Sequence, residues 1–126
     1  MSIHVDVITR IKKIIKERGD KPLELLNPIF EFLGFKRVEI QIYNLLLEKS
    51  LTISQIRKEL KVSERTIREY MKRLLEKGVV VRTVRIEKRL KYVYSALSPE
   101  KAWKMMKEEI QKTVEEISET LERIAL

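Results

Sequence analysis

Apolar side chains at Val7, Ile8, Ile11, Ile14 and Ile15 keep the spacing of one helical face, which predicts a helix over Val5–Arg18 stopped by Gly19. Asn27 before Pro28 has the order of an N-cap and a first-turn proline, so a two-turn helix through IFEFL is expected to end at Gly34. From Lys36 to Lys49 the apolar positions Val38, Ile42, Tyr43, Leu46 and Leu47 predict a buried core helix.

The stretch from Leu51 to Val80 carries the densest set of signals. Thr52 and Gln55 have the spacing of a capping box, which opens a helix of about two turns that buries Ile53, Ile56 and Leu60. Lys61 and Val62 form a turn, and Ser63 is a second N-cap. The helix it opens has Ile67, Tyr70, Met71, Leu74 and Leu75 as its buried stripe and Gly78 as its stop. So short a turn makes the two helices cross steeply, leaving the N-terminal half of the second one exposed, as in a helix-turn-helix. Ser63 begins that surface, and Glu64, Arg65, Thr66, Arg68, Glu69, Lys72 and Arg73 are expected to form its outer face.

The period then changes from helical to alternating. VVVRTVRIEKRLKYVYSAL is rich in β-formers and predicts a hairpin, with Val80, Val84 and Ile86 on one face of its first strand and Leu90, Tyr92 and Tyr94 on one face of its second. Glu87 to Arg89 form the tip, and Arg82, Arg85, Lys88, Arg89 and Lys91 give the hairpin its charge. Finally Ser98, Pro99 and Glu100 open a helix that can run to the C-terminus, roughly 40 Å at about 1.5 Å per residue. Trp103, Met106, Ile110, Ile117 and Ile124 follow coiled-coil spacing with Val114 and Leu121 beside them, while Thr113 and Thr120 fill the intervening places. This seam is longer than a small domain needs. It is expected to face a second copy of the chain, with Ile8, Ile11 and Ile15 of the first helix packing within or beside it.

The expected architecture is therefore mostly α with a small β-hairpin wing: a winged helix-turn-helix with N- and C-terminal dimerisation helices. One domain suits 126 residues, divided into an N-terminal helix and linker (1–27), the helix-turn-helix plus wing (28–98) and the coiled-coil-like helix (99–126).

Charge sharpens this picture because of where it lies. The net charge of +8 is concentrated in residues 51–98, with thirteen Lys/Arg against five Asp/Glu, whereas residues 1–50 carry +2 and residues 99–126 carry −2. A basic centre on a helix-turn-helix attracts a polyanion. Chemistry that needs thiolates is excluded by the absence of cysteine, and His4 is the only imidazole, so zinc sites and Ser-His-Asp catalysis have no basis. No carboxylate sits in a glycine-rich or apolar context that suits acid-base work, and neither an enzyme nor a cofactor is expected. The first twenty residues place charges where a signal peptide has its apolar core, and no run is long enough to span a membrane, so a cytoplasmic protein is expected. Few Asn and Gln among many Lys, Glu, Arg and Ile is a usage common in heat-adapted proteins.

Several segments in this order resemble the DNA-binding domain of the archaeal TrmB-like regulators, with some similarity to the MarR and Lrs14-like groups. They are Leu33-Gly34, Glu39 and Tyr43, the Ser63 helix ending in Leu74, then Glu76-Lys77-Gly78-Val79-Val80, and Tyr94 leading into Ser98-Pro99-Glu100. The resemblance runs from about Ile29 to Met106 and implies a transcription factor. The Ser63 helix would enter the major groove of double-stranded DNA, and the wing would lie along the backbone. Larger TrmB-like proteins add a sugar-binding C-terminal domain, whereas here the chain ends after one helix, so a sugar ligand is not implied and the small-molecule effector stays open. A regulator acting on DNA as a homodimer is expected. The alternative is a winged helix that docks proteins, which would carry apolar or mixed residues where this chain clusters Arg and Lys.

Overall fold

A computed structural model describes residues 3–17 and 22–125, with side-chain surroundings from Asp6 onward. Its elements in chain order are α1 (Ile3–Lys16), α2 (Pro22–Phe32), α3 (Arg37–Glu48), α4 (Ile53–Leu60), α5 (Glu64–Glu76), β1 (Val80–Ile86), β2 (Leu90–Ala96) and α6 (Pro99–Ala125). The fold is mostly helical with one antiparallel hairpin, a winged helix-turn-helix. Among the described residues no helix is long and apolar enough to cross a membrane. The expected stop at Gly19 lies outside the described residues.

The core is built by α2, α3 and α5 and closed by the hairpin base and the start of α6. Leu26, Phe30, Ile42, Tyr43, Ile56, Ile67, Met71 and Leu74 are buried in it, and α1 adds a buried Val7 against α2. Phe30 meets Phe35 and Tyr43 edge-on at 5.0 and 4.8 Å between ring centroids. The Tyr43 hydroxyl donates to the Leu97 carbonyl at 2.7 Å, tying α3 to the end of the hairpin. Burial, and secondarily the charge of Glu100, raises the Tyr43 pKa well above its ordinary value, so the phenol stays a donor.

Asn27 is not a helix cap. α2 begins five residues earlier at Pro22, which takes the first-turn place, and Pro28 lies inside the helix with its ring buried. An interior proline costs about 3 kcal/mol or more through its missing N–H and its clash with the preceding turn. Burying Leu26 and Phe30 on the same helix returns roughly 1.5–3 kcal/mol each, enough to carry the helix through it.

The hairpin register pairs Val80 with Ala96, Val84 with Tyr92 and Ile86 with Leu90, which keeps Val80, Val84 and Ile86 on one face as the alternation predicted. Its base is held by Leu51, which exchanges backbone hydrogen bonds with Tyr94 at 2.8 and 3.0 Å. Gly78, at the stop of α5, has φ +74°, a left-handed backbone open to glycine, and a Cβ there would lie 2.7 Å from Met105 Cε.

Ser98 caps α6 by accepting from the Lys101 N–H at 3.3 Å. The first turns of α6 belong to this chain's own core, where Ala102 and Met106 are buried. Met106 is therefore not part of an outward seam, contrary to the expectation from spacing, because α2 packs along the first turns of α6. Beyond half-buried Ile110 the helix leaves the body, and Val114, Ile117, Leu121 and Ile124 are all more than half exposed. Thr113 and Thr120 turn their hydroxyls back onto the carbonyls of Glu109 and Glu116, at 2.9 and 2.7 Å.

Candidate nucleic-acid interface

α4 and α5 are set by the caps that the sequence predicted. The Thr52 N–H donates to the Gln55 side chain at 2.9 Å, and the Gln55 N–H donates to Thr52 Oγ1 at 3.2 Å. Lys61 takes the left-handed conformation at φ 55°, and its N–H closes α4 on the Arg57 carbonyl at 2.8 Å. Ser63 Oγ then accepts from the Thr66 N–H at 3.2 Å and starts α5. Ile67, Met71 and Leu74 fasten α5 to the core along one side, which leaves the other side of its first two turns facing out.

On that outer face Arg65 and Arg68 pair, among the described residues, with acids one turn away on the same helix, at 3.6 Å to Glu69 and 3.9 Å to Glu64. Pairs of this kind at the surface contribute about 0.3–0.5 kcal/mol, so either guanidinium can leave its partner for a stronger anion. Lys72 is exposed beside them, and Thr66 is half-buried.

Arg73 breaks from this set. Its guanidinium lies 3.1 Å from the carboxylate of Glu39, donates to the Gly34 carbonyl at 3.3 Å and covers the Phe35 ring at 5.5 Å. Glu39 is fully buried and also accepts the Lys36 N–H at 2.9 Å. The sequence expectation of an outward Arg73 therefore gives way to a brace between α5 and α3, because the buried carboxylate needs a cation.

The wing projects beside α5 with Lys88 and Arg89 in its exposed turn. Arg85 and Lys91 pair across the ribbon and both reach Glu87, at 3.9 and 3.7 Å, while Arg82 lies 4.4 Å over the Tyr92 ring. Between the wing and the start of α5 runs a groove lined by Gln55, Lys58, Glu64, Arg68, Arg89, Lys91 and Tyr92. Gln55 and Lys58 of α4 were absent from the sequence-based candidates; Lys58 could have been found as the exposed cation of the first of the two crossing helices. The groove thus brings together residues of both helices and the wing that lie far apart in the chain, from Thr52 to Tyr94.

Of the expected dimer residues, Trp103, Ile8 and Ile15 are exposed and Ile11 and Ile110 half-buried. Ile11, Ile15, Trp103 and Ile110 line an apolar cleft with Ile29 and Phe32 of α2.

The family model described as sugar-specific transcriptional regulator TrmB matches residues 30–100. A solved structure titled a possible transcriptional regulator from Methanosarcina mazei Go1 is 17% identical, with a TM-score of 0.61 over 75% of this chain and 83% of that one. A protein from the thermoacidophilic archaeon Sulfolobus tokodaii is 24% identical with a TM-score of 0.52, covering 84% of this chain and 100% of that one. The reduced form of the transcriptional regulator YodB from B. subtilis, also 24% identical, has a TM-score of 0.51 over 68% of this chain and 84% of that one. These likenesses concern the fold. No curated protein matches the chain.

Proposed function

The chain belongs to the TrmB family of transcriptional regulators, and from that premise we propose that it binds double-stranded DNA in a sequence-specific manner as a homodimer. The observation that carries this reading is the shared groove, where Arg68 of the exposed α5 and Arg89 and Lys91 of the wing meet. α5 enters the major groove, with Arg65, Thr66 and Arg68 at its leading end within reach of base edges. Arg85, Lys88, Arg89 and Lys91 hold phosphates, and phosphate contacts add affinity without sequence information.

The dimer rests on α6. From Val114 onward the helix carries an apolar stripe that nothing in its own chain covers among the described residues, and a second α6 crossing it hides both stripes. The DNA-reading unit then runs from α2 to the first turns of α6, with Leu26, Ala102 and Met106 in its core, while the outer turns of α6 join the protomers. A two-fold pair presents two α5 helices and selects an inverted repeat with half-sites about one or two helical turns apart.

The test is selection of bound fragments from random duplexes, followed by anisotropy titration of the enriched site. An inverted repeat, with affinity falling steeply as salt rises, is the expected result. Retention of no duplex at low salt refutes DNA binding and leaves docking to proteins as the use of this surface.

A further inference from the structure

The wing carries an apolar stripe on the face opposite Arg85 and Lys91. Val84 pairs with Tyr92 and Ile86 with Leu90, so the four side chains form two adjacent rungs that run toward the turn. The same face is buried at the hairpin base, where Val80 and Tyr94 belong to the core, but it emerges into solvent toward the tip. Ile86 is 80% exposed and Leu90 58%, the largest aliphatic exposure on the wing. A two-stranded ribbon gains nothing from such residues in water, and outward polar side chains would serve it better.

Two observations bear on what covers them. Leu90 and Tyr92 line the same groove as Arg68, so the stripe continues the surface assigned to DNA. Cations surround it: Lys88 and Arg89 in the turn, Arg82 on the same face over the Tyr92 ring, and the Arg85–Lys91 rung, tied to Glu87, on the reverse face. The occupant is therefore anionic at its rims and apolar between them, as the minor groove is, with phosphates on its edges and sugar walls and stacked bases within. Two strands with axes about 4.8 Å apart make a ribbon broader than that once backbones and side chains are counted, so it seats deeply in a minor groove about 6 Å wide only if the groove opens. Apolar side chains that open it do so by parting a base step and bending the duplex.

On the reading that the chain binds DNA, we propose that the Ile86–Leu90 rung is an apolar wedge that enters the minor groove and parts a base step beside each half-site. Sequence preference then extends past the bases that α5 touches, to steps that part easily, such as TA and CA/TG.

The experiment uses the full chain, the selected duplex with 2-aminopurine placed at successive flanking steps, and a donor and acceptor dye at the duplex ends. Wild type is expected to raise 2-aminopurine emission at one step per half-site and to bend the duplex by roughly 20–90°. The double variant Ile86→Ser with Leu90→Ser, both exposed and so neutral for folding, is expected to lose the emission and the bend and to bind about tenfold more weakly. Lys88→Ala is expected to bind more weakly while keeping the bend. The wedge is overturned if wild type binds a straight duplex without an emission change, or if the double variant keeps both bend and affinity; in the latter case the stripe serves a protein partner. Absence of any duplex binding by wild type overturns the DNA reading itself, so the two failures are distinct.

Discussion

Arg73→Ala separates structure from DNA contact at a residue that the sequence places among the outer-face cations and that the structure ties to Glu39. The substitution leaves the Glu39 carboxylate fully buried with only the Lys36 N–H on its Oε1 and no partner on Oε2 among the described residues. At 3.1 Å the lost attraction is about 5 kcal/mol for an effective dielectric of 20, before the hydration that the freed groups regain. Removing one partner of a buried pair costs about 3–5 kcal/mol, and Arg73 is only partly buried, so a loss of about 2–3 kcal/mol is expected. Urea unfolding at fixed protein concentration measures it. In the Glu39→Gln background the buried charge is gone, and the same arginine substitution is expected to cost under about 1 kcal/mol, a coupling of 1–2 kcal/mol. Affinity for the selected duplex, measured well below the unfolding midpoint, is expected to stay within about twofold of wild type. A loss below about 0.5 kcal/mol with no coupling to Glu39 would refute the brace.

Two further variants probe other elements. Ile117→Asp with Leu121→Asp puts charges on residues exposed in the single chain, so it is expected to leave the fold intact while halving the mass measured by light scattering; a dimer that persists removes α6 as its seam. Gly78→Ala forces a side chain into the left-handed region and toward Met105, with an expected loss of about 1–2 kcal/mol in urea unfolding; an unchanged midpoint shows that the α5 stop tolerates a Cβ.

What could be read in advance followed from how local each cause is. The Thr52–Gln55 box and the Ser63 and Ser98 caps depend on neighbours three residues away, and the hairpin's faces on a two-residue alternation, so their signals lie together in the chain. Pro28 misled because its local cost is outweighed by the burial of Leu26 and Phe30, a tertiary effect with no mark on the proline itself. Arg73 looks like Arg68 in sequence; what turns it inward is Glu39, thirty-four positions earlier on another helix. Met106 and Ile117 likewise share one periodic stripe, and spacing does not say where along it the domain's own core runs out. The groove's basic residues were recognisable by charge. Exposure of Ile86 and Leu90 was not, since alternation assigns a face and says nothing about whether anything covers it.

The central claim is that α5 reads bases and the wing holds the backbone. It is tested most directly by titrating wild type, Arg68→Ala and Lys88→Ala against the selected duplex and a scrambled one at several salt concentrations. Arg68→Ala is expected to lose about 1–3 kcal/mol on the selected duplex and little on the scrambled one, whereas Lys88→Ala weakens both alike and lowers the salt slope by about one. Equal losses for both variants on both duplexes would contradict base reading by α5.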